Sequence, residues 1–569
     1  MNKKLKIINF NYFIFFKAIL YSLFFHMLNF FSYFFKKKQV NVKPHIFKDY
    51  LEKNYNLWNK DDIIEQNKVL ISNFVHHPGY TITESIIGKH VCEFFNFEPC
   101  GLVDIEDKFG KRIIKSFKVN NFIHHPKLSI FGRLKYLLIA FVKIRNFENV
   151  DQFISYKIDG INYGRCVYDH ILRNTSGGTL EKINFKVFFF LSEAIFYNNF
   201  YKNLFLNNNF EYLIMSETQF LPSNIIFQNA LQNNVKVISR IGGTKKISAR
   251  LYKSKDEMFQ SNNKISKTQL NETIKNENYQ YSNKGFEIIK KLYDGERKHH
   301  DQASTKNYDY NNLNKKTHKE LLKYFGWDKT KKICTIYSHN LYDGNYINEW
   351  RIFRDNLTWL RKTLIYIKEN GSNMNWIVKD HPSDFGKNRS KDITTFKEFQ
   401  KIIGESNNIK FFPNEFKTNI LKDVTDCLFT SQGSAGLEYP CFGIPSIICG
   451  DAYYQGLGFT MEPKNEKDYY KIINNIDNVI LRGLSSEQIQ KARSAFYFFE
   501  EHIRAEHPLL FDFNIQRNLD LDNFFSIATS KISNYDFQND FWKKSLKNQL
   551  ENNKRHFIIE SKDRYENQM

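Results

Sequence analysis

Two stretches of this chain, 68–239 and 333–449, alternate short apolar runs with helical runs, and most of the apolar runs end at a small, polar or histidine-bearing loop. That alternation constrains the fold more than any other feature. Strands separated by helices pair in parallel, with the helices laid over the faces of the sheet. In the first stretch, Val69 to Val75, Glu98 to Val103, Tyr212 to Ser216 and Val235 to Ser239 read as strands, and residues 151 to 235 read as mostly helical, with the run Val187 to Leu191 buried. In the second, Ile333 to Tyr337, Asn375 to Lys379, Ile409 to Phe412, Asp426 to Thr430 and Ser446 to Cys449 read as strands, and Trp350 to Asn370 as a long amphipathic helix. Ser485 to Ile503 reads as a helix with a Ser-x-x-Gln start (Ser485, Gln488). The expected fold class is α/β, with two Rossmann-like doubly wound domains. The expected boundaries are an aromatic and basic N-terminal helix and lead-in over 1–60, a first domain over 61–297, a linker over 298–330, a second domain over 331–510 and a C-terminal helical extension over 511–569, whose tail after about Lys531 is polar and peripheral.

The net charge of +21 invites a nucleic-acid reading, but the basic residues are dispersed among acidic ones without a zinc-finger or RNP pattern. No nucleic-acid partner is expected. A basic surface equally suits work at an anionic membrane on anionic ligands. The seven cysteines lack C-x-x-C pairs, and several sit in strand-like runs as small hydrophobes. That usage fits a reducing, cytoplasmic compartment.

Residues 5 to 35 are rich in Phe, Ile, Leu and Tyr, with Lys3, Lys4 and Lys6 before them and Lys36 to Lys38 after. The uncharged part, Ala18 to Phe35, is barely long enough to span a bilayer and contains His26, Asn29 and Ser32. No small-residue cleavage site follows, so a helix lying at or anchored in a membrane interface is expected rather than a secretory signal, with a helix packed on the protein's own core or a true transmembrane span as the alternatives.

Several residues in these loops suit chemistry on a phosphate-bearing ligand at the carboxyl edge of a parallel sheet. His381 follows the strand that ends in Lys379, where it can donate to a phosphate, although a His-Pro turn can also merely end a strand. Ser431, Gly433 and Ser434 lie between a strand end and a helix start, where backbone N–H groups can approach an anion, or Ser434 can simply cap the helix. Glu438 could accept from ribose hydroxyls, and Tyr453, Tyr454 and Thr460 could line a pocket, against ordinary helix-face and loop-packing alternatives. His339 and Asp343 lie in the loop after the first strand of the second domain. Glu217 directly follows a strand of the first domain and suits a general base or nucleophile, with Asp159 as a second carboxylate. The pairs His76-His77 and His124-His125 have no partner at ligand spacing, so no metal is expected.

The second domain resembles the bacterial capsule-polysaccharide and surface-carbohydrate biosynthesis proteins, which include Kdo transferases. The resemblance rests on Lys379-Asp380-His381-Pro382, on Ser431 or Ser434, Gly436, Glu438, Gly443 and Pro445, and on Gly450, Tyr453, Gly458 and Thr460. The similarity is strong over about 330 to 465, including the loop Tyr337 to Asp343, and fainter over 65 to 245, including Asp159 to Gly164, Tyr168-Asp169 and Leu172-Arg173. It implies a metal-independent glycosyltransferase of GT-B architecture, peripheral to or anchored in the inner membrane and without a cofactor. The co-substrate would be a nucleotide-sugar donor, with a CMP-linked ulosonic acid such as Kdo favoured. The acceptor would be lipid-linked or a polysaccharide. Lys379, His381, Pro382, Ser431, Gly433, Ser434, Gly436, Glu438, Tyr453 and Thr460 would then line the donor site with His339. Glu217, Asp343 and His381 would be catalytic, and Asp159 and His77 would face the acceptor. The loop reads Gln455-Gly-Leu-Gly-Phe459 where the Kdo transferases carry an aromatic-Gly-Trp-Gly version, which leaves the donor open. A sugar-nucleotide epimerase and a non-catalytic capsule assembly or export factor remain alternatives.

Overall fold

The computed structural model describes residues 2–35, 42–58, 66–175, 177–242, 244–260, 264–276, 280–295, 317–327, 330–346, 350–385, 393–513, 519–536 and 540–558. Residues 298–316 of the expected linker and the run Lys36 to Lys38 lie outside them, whereas the helix His318–Phe325 lies in the rest of that expected linker. The chain divides into two compact units, Met1–Ile171 with Leu180–Met258 and Arg504–Met569, and Leu172–Thr179 with Phe259–Ile503. Where the sequence suggests boundaries at 297 and 510, the units divide at 258 and 503.

The first unit contains β1 (Lys68–Ser72), β2 (Glu98–Val103), β3 (Asn121–His124), a small ribbon of β4 (Lys157–Ile158) and β5 (Ile161–Asn162), then β6 (Phe210–Met215), β7 (Lys236–Gly242) and β8 (Lys246–Tyr252). Across the main sheet the parallel strands run β7-β6-β1-β2-β3, and β8 joins antiparallel at the β7 edge. The strands pair where continuous apolar runs such as Val69-Leu70-Ile71 can be buried on both faces. The helix Pro78–Phe95 packs tightly on β1, because a Cβ at Gly88 would sit 2.5 Å from Ile71 Cγ1. As expected, Val187, Phe188, Phe189 and Leu191 are buried, in the helix Phe185–Leu206. Sequence reading missed β8, since its Lys-Ile-Ser-Ala-Arg-Leu-Tyr pattern buries Arg250, whose guanidinium lies 4.1 Å from the Tyr252 ring.

The C-terminal extension is not peripheral. Ala505–Glu506 pairs antiparallel with β8, and the following helices supply Phe525, Trp542 and Leu546, each at most 1% exposed, to the same core as Val69. The spacing of Trp542, Leu546 and Leu550 puts one apolar stripe on a helix otherwise made, apart from Phe541, of Lys, Asn, Gln, Ser and Glu.

The second unit holds an all-parallel sheet of β9 (Ile333–Tyr337), β10 (Asn375–Lys379), β11 (Ile409–Phe411), β12 (Cys427–Thr430) and β13 (Ser446–Ile448). Their spatial order is β11-β10-β9-β12-β13, doubly wound as expected. The helix Asn356–Asn370 begins at an Asp355 cap, six residues later than its apolar pattern suggested. The Ser485–Gln488 capping box forms as read. The helix Gln280–Tyr293 packs so closely on Ser486–Tyr497 that a Cβ at Gly285 would lie 2.0 Å from the Arg493 carbonyl oxygen.

Candidate functional site in the second unit

In the order β11-β10-β9-β12-β13, connections leave to opposite sides between β9 and β12. The loops beyond the carboxyl ends of those two strands therefore splay apart and leave a crevice where doubly wound sheets take ligands. His339 exits β9, His381 exits β10, and Ser431 to Ser434 exit β12. The two imidazole rings lie 5.8 Å apart at 63°. Gln432 Nε2 is 3.4 Å from His339 Nε2, and its amide also donates to the Gly344 carbonyl at 3.3 Å. A Cβ at Gly433 would lie 3.9 Å from His339 Nδ1. His339, His381, Gln432 and Gly433 thus share one edge.

The crevice walls are one hydrogen-bonded frame. Arg351 donates through Nη2 to Asn356 Oδ1 at 2.6 Å and Ser431 Oγ at 3.2 Å, and through Nη1 to the Asn345 carbonyl at 2.5 Å. Asn356 in turn donates to the Asn340 carbonyl and accepts from Ser431 Oγ at 2.9 Å. Burial, and then the nearby Arg351 charge, push the His339 imidazole down to about 4. His339 is therefore neutral at physiological pH and can offer one ring N–H, not a full charge. Arg351 escaped the sequence reading because it lies outside every motif. Its one signal was an arginine beside Trp350, ahead of a buried helix.

Other predicted residues have different surroundings. Ser431 is fully buried, and its hydroxyl is held by Arg351 and Asn356 rather than presented to the crevice. Ser434 makes no side-chain cap bond, and the helix it precedes, Ala435–Glu438, is a single turn. Gly436 gives room to Tyr454: a Cβ there would meet the Tyr454 hydroxyl at 2.1 Å, and that hydroxyl donates to the Gly433 carbonyl at 2.5 Å. Glu438 accepts from the Tyr293 hydroxyl at 2.8 Å. Tyr453 packs against Phe499, and Thr460 donates to Glu462 at 2.8 Å. The Lys379 ammonium is buried against the Asp380 carboxylate. Pro382 opens a short 3-10 turn after His381. Asp343 pairs with Arg173 at 3.0 Å.

Glu217, Asp159 and His77 belong to the first unit. Glu217 follows β6 and accepts the Gln219 N–H at 2.6 Å. Asp159 and Gly160, with φ of 48° and 82°, form the tight turn between β4 and β5, which accounts for both residues structurally. His77 caps the helix Pro78–Phe95 by accepting the Gly79 N–H at 3.1 Å. Two further groups sit at the carboxyl edge of this sheet: Glu84, which the sequence reading did not single out, and His76, which it weighed only as a metal ligand. Glu84 is buried and accepts the Ser216 N–H at 2.7 Å, and burial pushes its carboxyl up to about 8. His76, at a left-handed φ of 51°, bridges Asp104 and Asp107 at 3.1 and 3.2 Å, and those hydrogen bonds hold its imidazole up near 9. His76 lies in the loop after β1, whereas Glu84 lies inside the helix Pro78–Phe95, where no motif marked it.

Among the described residues, His90, His507 and Asp540 lie at metal-ligand spacing, with Nε2, Nε2 and Oδ2 within 3.5 to 3.8 Å of one another. However, His507 Nδ1 accepts the Leu509 N–H at 3.1 Å, which leaves the hydrogen of the neutral ring on Nε2 and no lone pair there for a metal. The arrangement suits a shared-proton cluster that ties the C-terminal extension to the first unit.

Fold and site together describe a chain of two α/β units, each with a switch-point crevice, the second of which gathers two histidines and a Ser/Gly turn. Residues 260–485 match the family of capsule polysaccharide biosynthesis proteins. No curated protein matches the chain. Among solved structures, a β-Kdo 2,4-transferase, KpsC of Thermosulfurimonas dismutans, is similar at 11% identity over 59% of this chain and 95% of that one, with a TM-score of 0.31. A UDP-GlcNAc 2-epimerase from Neisseria meningitidis bound to UDP-GlcNAc is similar at 7% identity over 76% and 96%, with a TM-score of 0.24. The wall teichoic acid polymerase TagF is similar at 13% identity over 86% and 98%, with a TM-score of 0.19.

Proposed function

We propose that this protein is a glycosyltransferase of capsule or surface-polysaccharide assembly, acting without a metal on a nucleotide-activated sugar, with a CMP-linked ulosonic acid favoured as donor. The observation that carries this reading is that the family match over 260–485 encloses the crevice formed by His339, His381, Gln432 and Gly433. Two close imidazoles beside a glycine turn suit the phosphate of a leaving nucleotide, whose charge grows as the glycosidic bond to it breaks. His339, held neutral, would orient the phosphate by donating one hydrogen bond. His381 would stabilise the departing charge, and Arg351 would act from behind by holding the loops in place. The first unit would take a lipid-linked or glycan acceptor, with Glu217 as the carboxylate that receives the acceptor's proton. The N-terminal helix would hold the protein against the cytoplasmic membrane surface, close to such an acceptor.

Calorimetry with CMP, UDP and GDP tests the reading. One nucleotide should bind, and His381→Ala should weaken it at least about tenfold, the scale of one lost charge-assisted hydrogen bond. Binding of none of the three would overturn it. The matching sugar nucleotide, incubated with membrane extract, should then release nucleotide only when acceptor is present. Isomerised sugar nucleotide formed without acceptor would show an epimerase instead.

A further inference from the structure

The N-terminal helix Asn2–Phe35 has two opposed apolar faces over its described side chains. One is spent on the protein: Ile14, Ala18 and Ser22 are buried, and the rings of Phe15, Tyr21 and Phe25 lie 4.5 to 5.2 Å from Phe141, Phe185 and Phe189 of the helices Ile130–Ile144 and Phe185–Leu206. The other is uncovered. Phe13, Phe16, Leu20, Phe24 and Met27, at helical steps of three and four, remain 49 to 58% exposed. The neighbouring helix Ile130–Ile144 repeats this division. Leu137, Ala140, Phe141 and Ile144 are buried, while Phe131, Leu138 and Val142 are 55 to 82% exposed on the opposite stripe. Soluble surfaces do not ordinarily carry so many large apolar side chains together.

The charges identify what covers them. Neither helix contains an Asp or a Glu. Lysines lie within the stripes: Lys17 Nζ is 4.5 Å from the Phe13 ring, and Lys135 falls between Phe131 and Leu138. Phenylalanines and leucines interleaved with lysines, and no acid, match the boundary between anionic headgroups and acyl chains, where a lysine stem lies along the apolar layer and its ammonium reaches the phosphates. A second copy of this chain would bring the same positive charge against itself. Among the described residues no helix is long and apolar enough to cross a membrane. The buried face also binds the N-terminal helix lengthwise to two others, which favours lying on the bilayer.

We infer that the N-terminal helix and the helix Ile130–Ile144 form one membrane-facing platform whose occupant is the surface of an anionic bilayer. This rests on the membrane association proposed above and extends it from one helix to two. The test is flotation of the full-length protein with vesicles of three parts phosphatidylethanolamine to one part phosphatidylglycerol, and with neutral phosphatidylcholine vesicles. Phe131→Asp with Leu138→Asp should lower partitioning at least about tenfold while the N-terminal helix is intact, as should Phe16→Asp with Leu20→Asp. Neutral vesicles should retain much less protein, and raised salt should weaken binding to the anionic ones. All four positions are exposed, so thermal melting should be unchanged in both variants. Nucleotide binding by calorimetry should also persist in both, so that failure here and failure of the donor reading are told apart. Wild-type partitioning by the Phe131/Leu138 variant would overturn the two-helix platform, as would equal binding to neutral vesicles. Loss of self-association in that variant, with no vesicle binding by the wild type, would assign the face to a second copy and overturn the inference.

Discussion

Arg351 Nη2 donates to Ser431 Oγ at 3.2 Å, which joins the segment after β9 to the turn after β12 across the switch point of the second sheet. The same guanidinium reaches Asn345 and Asn356, so one side chain sets the shape of the crevice that His339 and Gln432 face.

Arg351→Met should therefore leave several buried acceptors unpaired and cost about 1–3 kcal/mol in urea unfolding. It should also weaken nucleotide binding by more than its stability cost predicts, because His339 and Gln432 lose their frame. Calorimetry at a temperature where the variant is fully folded checks this, and unchanged affinity would reduce Arg351 to a purely structural role.

Gly436→Ala should destabilise the second unit by about 1–3 kcal/mol, since the new methyl group meets the Tyr454 hydroxyl at 2.1 Å. Tyr454→Phe removes that oxygen. The double variant should be less destabilised than the two single effects added together, and strict additivity in a double-mutant cycle would show that the clash is relieved elsewhere.

Glu84 gives the first unit a pH signature. Its carboxyl is raised from 4.5 to about 8 in the folded protein, chiefly by burial. The unfolded chain ionises it first, so its contribution to stability is fully present below about pH 4.5 and is lost as pH rises to about 8. At about 1.4 kcal/mol per pH unit, the total is on the order of 5 kcal/mol. Glu84→Gln keeps an acceptor for the Ser216 N–H and removes the titration, so the variant should gain on the wild type between pH 5 and 8 in urea midpoints. Parallel pH profiles would refute the assignment.

Trp542 is 1% exposed in the core of the first unit, and its indole N–H donates to the Ile247 carbonyl at 3.4 Å. Trp542→Ala should cost about 3–5 kcal/mol. Truncation before Arg504 should leave β8 as an uncovered edge and give insoluble protein, whereas a dispensable extension would leave solubility unchanged.

These contrasts mark what was legible in the chain. Ile333–Tyr337 and Asn375–Lys379 match the expected strands residue for residue, because a strand buried on both faces is mostly apolar and stops where polar loop residues begin. The capping box at Ser485 was equally readable, since its two partners lie three residues apart. β8 was not, because a buried arginine interrupts its apolar pattern, and the helix bearing Trp542 was not, because its apolar residues are few and meet partners far away in sequence.

By itself the sequence determined the local alternation of strand, loop and helix, and with it the parallel sheets and the set of residues at their carboxyl edges. Local pattern suffices there because propensity and burial act over a few neighbouring residues. Only the tertiary structure decided what each candidate touches. It brought His339 and His381 to 5.8 Å, turned Ser431 inward onto Arg351 and Asn356, and set Glu438 on Tyr293. It also returned the C-terminal extension to the core of the first unit. Those outcomes depend on strand order and on buried polar groups finding partners from distant segments, and no short window of sequence contains either.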